Sequence, residues 1–104
     1  MEKITPIINQ YLNIKKKHKD KLLLFRMGDF YELFYDDAKE ASVLLDIVLT
    51  SRNYINNDIV PMAGFPWHSA NNYISKLIKA GKVIAICDQI NGIKTSDGLI
   101  ERKV

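Results

Sequence analysis

The residues best equipped for chemistry crowd into one short stretch, Met27-Gly28-Asp29-Phe30-Tyr31-Glu32-Leu33-Phe34-Tyr35-Asp36-Asp37. If residues 30–35 are extended, the period of two sets Phe30, Glu32 and Phe34 on one face and Tyr31, Leu33 and Tyr35 on the other. A large ring then stands beside an acid, one able to stack or wedge and the other able to accept a hydrogen bond or take up a proton. A second chemistry uses the same stretch. Asp29, Glu32, Asp36 and Asp37 are candidates to gather a magnesium ion for phosphodiester cleavage. Asp29 is equally a turn residue and Asp36-Asp37 a helix cap, which leaves Glu32 as the carboxylate without a structural explanation.

Other constellations are sparser. There is no G-x-x-x-x-G-K-[ST] loop, so nucleotide hydrolysis by that route is excluded. His18 and His68 lie far apart and Cys87 is the single cysteine, so no Cys/His zinc spacing exists. Cys87, inside the apolar run Val83-Ile84-Ala85-Ile86-Cys87, reads as a small buried hydrophobe of a reducing compartment. Met62, Phe65 and Trp67 are candidates for an exposed protein-binding patch, or for a loop shaped by Pro61 and Pro66. Fifteen Lys and Arg against twelve Asp and Glu give a net charge of +3, a mild lean toward polyanions. No apolar run approaches the roughly 18 residues of a membrane helix and the N-terminus lacks a signal-peptide core, so an intracellular soluble domain without a membrane partner is expected.

At 104 residues the chain is read as one domain, 1–104. Thr5-Pro6 opens an amphipathic helix over 6–18, with Ile7, Ile8, Tyr11 and Leu12 at helical spacing. Its end, Lys15-Lys16-Lys17-His18-Lys19, suits the helix dipole as well as it suits phosphate. Residues 21–27 and 30–35 read as strands joined through Gly28-Asp29. Asp36-Asp37 then caps a helix that runs to Asp46. A third strand is expected at 47–50, followed by Ser51, Arg52 and a polar loop at 53–58. The stretch 60–68 carries two prolines and is read as an edge strand or an exposed loop. A helix beginning at His68 or Ser69 and stopped by Gly81, a strand at 83–90, a loop at 91–98 and a strand at 99–104 complete an α/β (α+β) pattern. The expected fold is a mixed sheet of about six strands with three or more helices.

Arg26-Met27-Gly28-Asp29-Phe30-Tyr31-Glu32-Leu33-Phe34-Tyr35-Asp36-Asp37-Ala38, then Leu44-Leu45-Asp46-Ile47, Leu49-Thr50, Pro61-Met62-Ala63-Gly64, Tyr73 and Cys87-Asp88-Gln89, resemble the N-terminal mismatch-recognition domain of the MutS family of DNA mismatch repair proteins. The resemblance spans nearly the whole chain. It departs at Trp67, where tyrosine is common, and at Asp88, where glutamate is common. It implies a mixed sheet surrounded by helices and assigns mispair reading to a Phe-x-Glu motif, here Phe30-Tyr31-Glu32. Met27, Met62 and the Pro61–Gly64 segment are then expected to flank the ring, and Arg52 to contact phosphate. The implied partners are duplex DNA with mismatches or small loops, the remainder of a longer chain that dimerises, and MutL downstream, in a cytoplasmic, nucleoid-associated setting. ATP and magnesium are expected for that longer protein. This segment contains no ATPase, connector, lever or clamp and is expected to be monomeric, cofactor-free and not itself an enzyme.

Ring and acid suit that task. Wedging a ring into a base step from the minor groove costs a few kcal/mol, least where pairing is already faulty. Stacking returns roughly 1–3 kcal/mol. Glu32 is repelled by phosphates and becomes tolerable once a base donor freed by mispairing reaches it, or once it is protonated. It is therefore expected to penalise perfect duplex as much as it rewards a mispair. Tyr31 and Leu33 are expected to point inward, and the strand to bend or end before Phe34.

Overall fold

Four consecutive apolar residues, Leu22 to Phe25, are all at least 95% buried, and a strand can bury every side chain only if both faces are covered. The computed structural model describes residues 5–55, 58–94 and 100–104 and supplies that cover. The elements are α1 (Pro6–Lys15), β1 (Leu22–Met27), β2 (Phe30–Phe34), α2 (Tyr35–Leu45), β3 (Thr50–Ile55), β4 (Asp58–Pro66), a 3-10 turn (Trp67–Ser69), α3 (Ala70–Lys79), β5 (Ile84–Lys94) and β6 (Ile100–Lys103). They build a six-stranded sheet in the order β3-β4-β2-β1-β5-β6. The β1–β5 pair is parallel and the others antiparallel, so the sheet is mixed as expected.

One face carries Leu22, Leu24, Tyr31, Leu33, Ala63 and Phe65, packed against Ala38, Ala41 and Leu45 of α2 and Ala70 and Leu77 of α3. The other carries Leu23, Phe25, Phe34, Val60, Met62, Ala85 and Cys87, packed against Ile8 and Tyr11 of α1. Two helices thus cover one face, and a single ten-residue helix covers the other.

Several local expectations are corrected. Helix α1 ends at Lys15, short of 18, and Lys15 turns aside to an ion pair with Asp37 at 2.8 Å. Thr5 occupies the N-cap, but its hydroxyl is buried and makes no capping bond. Helix α2 starts at Tyr35 with Phe34 as its N-cap, two residues ahead of the predicted Asp36-Asp37 cap. Asp37 instead accepts hydrogen bonds from the Leu23 amide at 3.1 Å and from Lys15, tying α2 to β1 and α1. The strand read at 47–50 is not one. Ile47, Val48 and Leu49 form a connection in which Val48 is 76% exposed, and β3 begins at Thr50 and takes in Ser51 and Arg52. Most of the predicted 53–58 loop therefore belongs to β3 and β4, and 56–57 lie outside the described residues.

The proline-bearing stretch is neither an edge strand nor a loop, because β4 pairs with β2 on one side and β3 on the other. Pro66 closes the β2 ladder opposite Phe30, and Pro61 lies one residue beyond its other end, Met62 opposite Phe34, and faces Ser51 of β3. Gly28, with φ of 62°, makes the two-residue hairpin turn, as predicted. Gly81, with φ of 81°, stops α3 while the amides of Gly81 and Lys82 return to Ile78 and Leu77. Strand β5 runs past Ile90 to Lys94, so the first part of the loop read at 91–98 is strand and 95–99 lie outside the described residues.

Candidate nucleic-acid interface

Strand β2 alternates as predicted: Tyr31 and Leu33 are buried on the α2–α3 side, and Phe30, Glu32 and Phe34 project on the α1 side. The expectation that the strand bends away before Phe34 is overturned. Phe34 is fully buried beneath α1, its ring 4.7 Å from that of Tyr11 and 6.1 Å from that of Phe25. Phe30 is 43% exposed and Glu32 half-buried.

Around that pair lies a cavity of about 450 Å³ lined by Phe30, Glu32, Asp46, Ile47, Val48, Thr50, Arg52, Met62 and Gly64. Of the predicted site residues it brings together Phe30, Glu32, Met62 and Arg52. Met27 is not in its lining, but faces Phe30 across the hairpin and packs on the α1-side core. Arg52 is exposed on the edge strand, open to an anion. Burial pushes the Glu32 carboxyl above its usual value, and the charge of Arg52 partly opposes the rise. Met62 is 5% exposed, both core and cavity wall, while Phe65 is buried on the opposite face, stacked on Tyr73 at 4.6 Å. The proposed Met62–Phe65–Trp67 surface patch therefore does not form, and only Trp67 is exposed.

Trp67 has another task. Its amide donates to the Asp29 carbonyl at 2.8 Å and its ring lies 4.6 Å under the Arg26 guanidinium, bracing the hairpin that carries Phe30. The tyrosine hydroxyl of Tyr31 donates to Asp88 at 2.9 Å, anchoring the same segment from the buried face. Among the described residues no three His, Cys, Asp or Glu side chains converge as metal ligands, and Asp37 accepts from Lys15 and the Leu23 amide. Cys87 is fully buried with its thiol pushed up to about 11, the state of an unreactive core residue.

Asp46, Ile47, Val48 and Thr50 line the cavity without having stood out in the sequence as site residues, whereas Gly64 lies in the Pro61–Gly64 segment expected to flank the ring. The connection bearing Ile47 and Val48 is apolar and β-branched, a pattern that reads as strand. Gly64 was noted only as part of Pro61-Met62-Ala63-Gly64, whereas its cross-strand pairing with Glu32 makes it the floor beneath the carboxylate.

Among the described residues, two helices close one face of the sheet and one helix closes part of the other, with Phe30 and Glu32 on the part that no helix covers. The chain belongs to the MutS domain I family, whose model matches residues 5–104. It is 55% identical over 102 residues to the DNA mismatch repair protein MutS of Desulfatibacillum aliphaticivorans, a match covering 98% of this chain and 12% of that protein. The chain thus corresponds to a small part of the relative's length. Among the described residues no helix is long and apolar enough to cross a membrane.

Proposed function

We propose that this chain reads mispaired or unpaired bases in double-stranded DNA, with Phe30 entering the base step from the minor groove and Glu32 accepting a hydrogen bond from the displaced base. The observation that carries the reading is the exposure of Phe30 beside a half-buried acid, on the sheet face where the rings of Phe25 and Phe34 are fully buried. Intact duplex resists the ring because unstacking costs a few kcal/mol, whereas a faulty pair has already lost part of that energy. Glu32, its pKa raised, is easily protonated or satisfied by a base donor but poorly tolerated by ordinary duplex. Met27 and Met62 flank the ring, and Arg52 meets a phosphate.

With a net charge of +3, the chain on its own binds DNA weakly, around the roughly 10⁻⁴–10⁻⁶ M range of non-specific complexes, and works as the lesion-reading part of a longer, dimeric protein. That protein supplies ATP and magnesium chemistry, hands the lesion to MutL and acts at the nucleoid in the cytoplasm. This segment contributes no catalytic step and requires no cofactor. The test is the fluorescence of 2-aminopurine beside a mispair, compared between the unaltered chain and Phe30→Ala. A change with the former and none with the latter supports insertion; equal responses would sink it.

A further inference from the structure

Glu32 and Gly64 are cross-strand partners, and the carboxylate of Glu32 lies down over Gly64 instead of standing up from the sheet. A Cβ on residue 64 would fall 2.6 Å from Cδ and 2.7 Å from Oε1 of Glu32, and closer still to Oε2. The need at this position is space, not backbone freedom: among the described glycines, those with positive φ are Gly28 and Gly81. Phe30, the next residue on that face of β2, is by contrast 43% exposed.

We propose that Gly64 is a positioning residue: by offering a bare backbone it keeps the Glu32 carboxylate recessed against β4, below the ring of Phe30, so that the acid reaches a base only after the ring has entered the stack. This rests on the mispair-reading role given to Phe30 and Glu32 above. The order of contact matters because a carboxylate is repelled by the phosphates of any duplex. Held low, it still repels the phosphates of any duplex through space, but it comes within hydrogen-bond reach only of a base that has yielded. Any side chain at 64 lifts the carboxylate into the open cavity, where Arg52 and Asp46 are the charged neighbours besides Glu32 itself. There it meets perfect and mispaired duplex alike. The conflict is with the far end of a flexible side chain, so a methyl group displaces the acid and leaves the strands paired.

The test is Gly64→Ala, made alone and together with Glu32→Ala, in the 104-residue chain. Three quantities are read: the amide spectrum, the side-chain carboxyl titration of Glu32 by NMR, and low-salt affinity for mispaired and perfectly paired duplexes. Gly64→Ala is expected to keep the amide dispersion, to bring the Glu32 midpoint down toward the ordinary carboxyl value, and to reduce the mispaired-to-perfect affinity ratio by roughly tenfold, the scale of one charge-assisted hydrogen bond. In the Glu32→Ala background the same change should leave the ratio alone. An unchanged Glu32 titration would overturn the proposal, as would a ratio that falls equally with and without Glu32. A Gly64→Ala chain that fails to fold also overturns it, since the sheet and not the carboxylate would then have been displaced. If Glu32→Ala by itself leaves the ratio unchanged, the failure belongs to the role of Glu32 in reading, while the titration still reports whether Gly64 sets its position.

Discussion

Phe30 and Phe34 share one face of one strand, yet Phe34 is fully buried and Phe30 is 43% exposed. What differs is the cover. Over Phe34 lies α1, whose Tyr11 makes edge-on contacts with Phe34 and Phe25 at 4.7 and 5.7 Å. Over Phe30 lies nothing that the described residues provide except the rim of the cavity. The same residue type in the same register is therefore core at one end of β2 and an unsatisfied surface at the other, and only the second can do work on a partner.

The largest test of that contrast is stability. Truncating a buried phenylalanine removes its transfer free energy and leaves a cavity, so Phe34→Ala is expected to cost about 3–5 kcal/mol. Phe30→Ala, at an exposed position, should stay within about 0.5 kcal/mol of the unaltered chain. Urea denaturation of both variants measures the difference. Comparable losses would mean that the two ends of β2 are not distinct.

DNA binding should invert the ranking. Phe30→Ala loses the stacking contribution of roughly 1–3 kcal/mol toward a mispair, a drop of about five- to 150-fold, with little change toward perfect duplex. Conservative truncation of the buried ring, Phe34→Leu, should leave the mispair preference in place in whatever fraction of the chain remains folded. Fluorescence titration with both duplexes decides it, and a selective loss with Phe34→Leu would break the division between the two halves.

How far this division could be read from sequence depends on where its causes lie. The alternation that puts Phe30, Glu32 and Phe34 together is local, a consequence of strand pleat, and was legible. The burial of Phe34 was not, because it depends on a helix that is adjacent in space and distant in sequence. Val48 misled in the opposite sense: β-branching and hydrophobicity mark core strands, but a connection at the cavity rim carries the same residues in the open. The inner position of β4 was hidden because Pro61 and Pro66 argue against a paired strand until the register shows Pro66 at the end of the β2 ladder and Pro61 just beyond its other end, opposite Ser51. Gly64 needed that same register, since nothing in Pro61-Met62-Ala63-Gly64 announces which side chain will lie on it. Asp37 shows the reverse error, a residue with a sound local role as a cap that tertiary partners draw elsewhere.

Glu32→Gln sharpens the contrast from the polar side. The Glu32 pKa is raised on folding by burial, so the charged form is disfavoured in the folded chain. A raised carboxyl contributes stability that is fully present below its unfolded value and is lost as the pH climbs through the folded one. At neutral pH the buried charge is therefore a cost that glutamine removes, and in acid below the ordinary carboxyl range the two side chains are both neutral. Glu32→Gln should accordingly raise the melting temperature slightly at pH 7 and not at pH 3, and should tighten binding to perfect duplex. Equal melting shifts at both pH values would show that the acid is not penalised in the folded state, and unchanged affinity for perfect duplex would remove its role as a gate.

Arg52 provides the smallest and most specific test. It stands exposed on edge strand β3, where it lines the cavity and opposes the rise in the Glu32 pKa. Two roles can be separated by salt. A phosphate contact releases counterion on binding, so Arg52→Gln should weaken mispaired and perfect duplex together and reduce the salt slope by about one. If the arginine serves only to steady the Glu32 charge, Arg52→Gln would leave the slope untouched and push the Glu32 midpoint further up. Both effects together are expected here, because the cavity holds two carboxylates, Glu32 and Asp46, against this guanidinium. Binding measured over a range of salt concentrations, paired with the Glu32 titration, assigns each share; an unchanged slope would confine Arg52 to the protein's own electrostatics and leave the uncovered half of the sheet without its phosphate anchor.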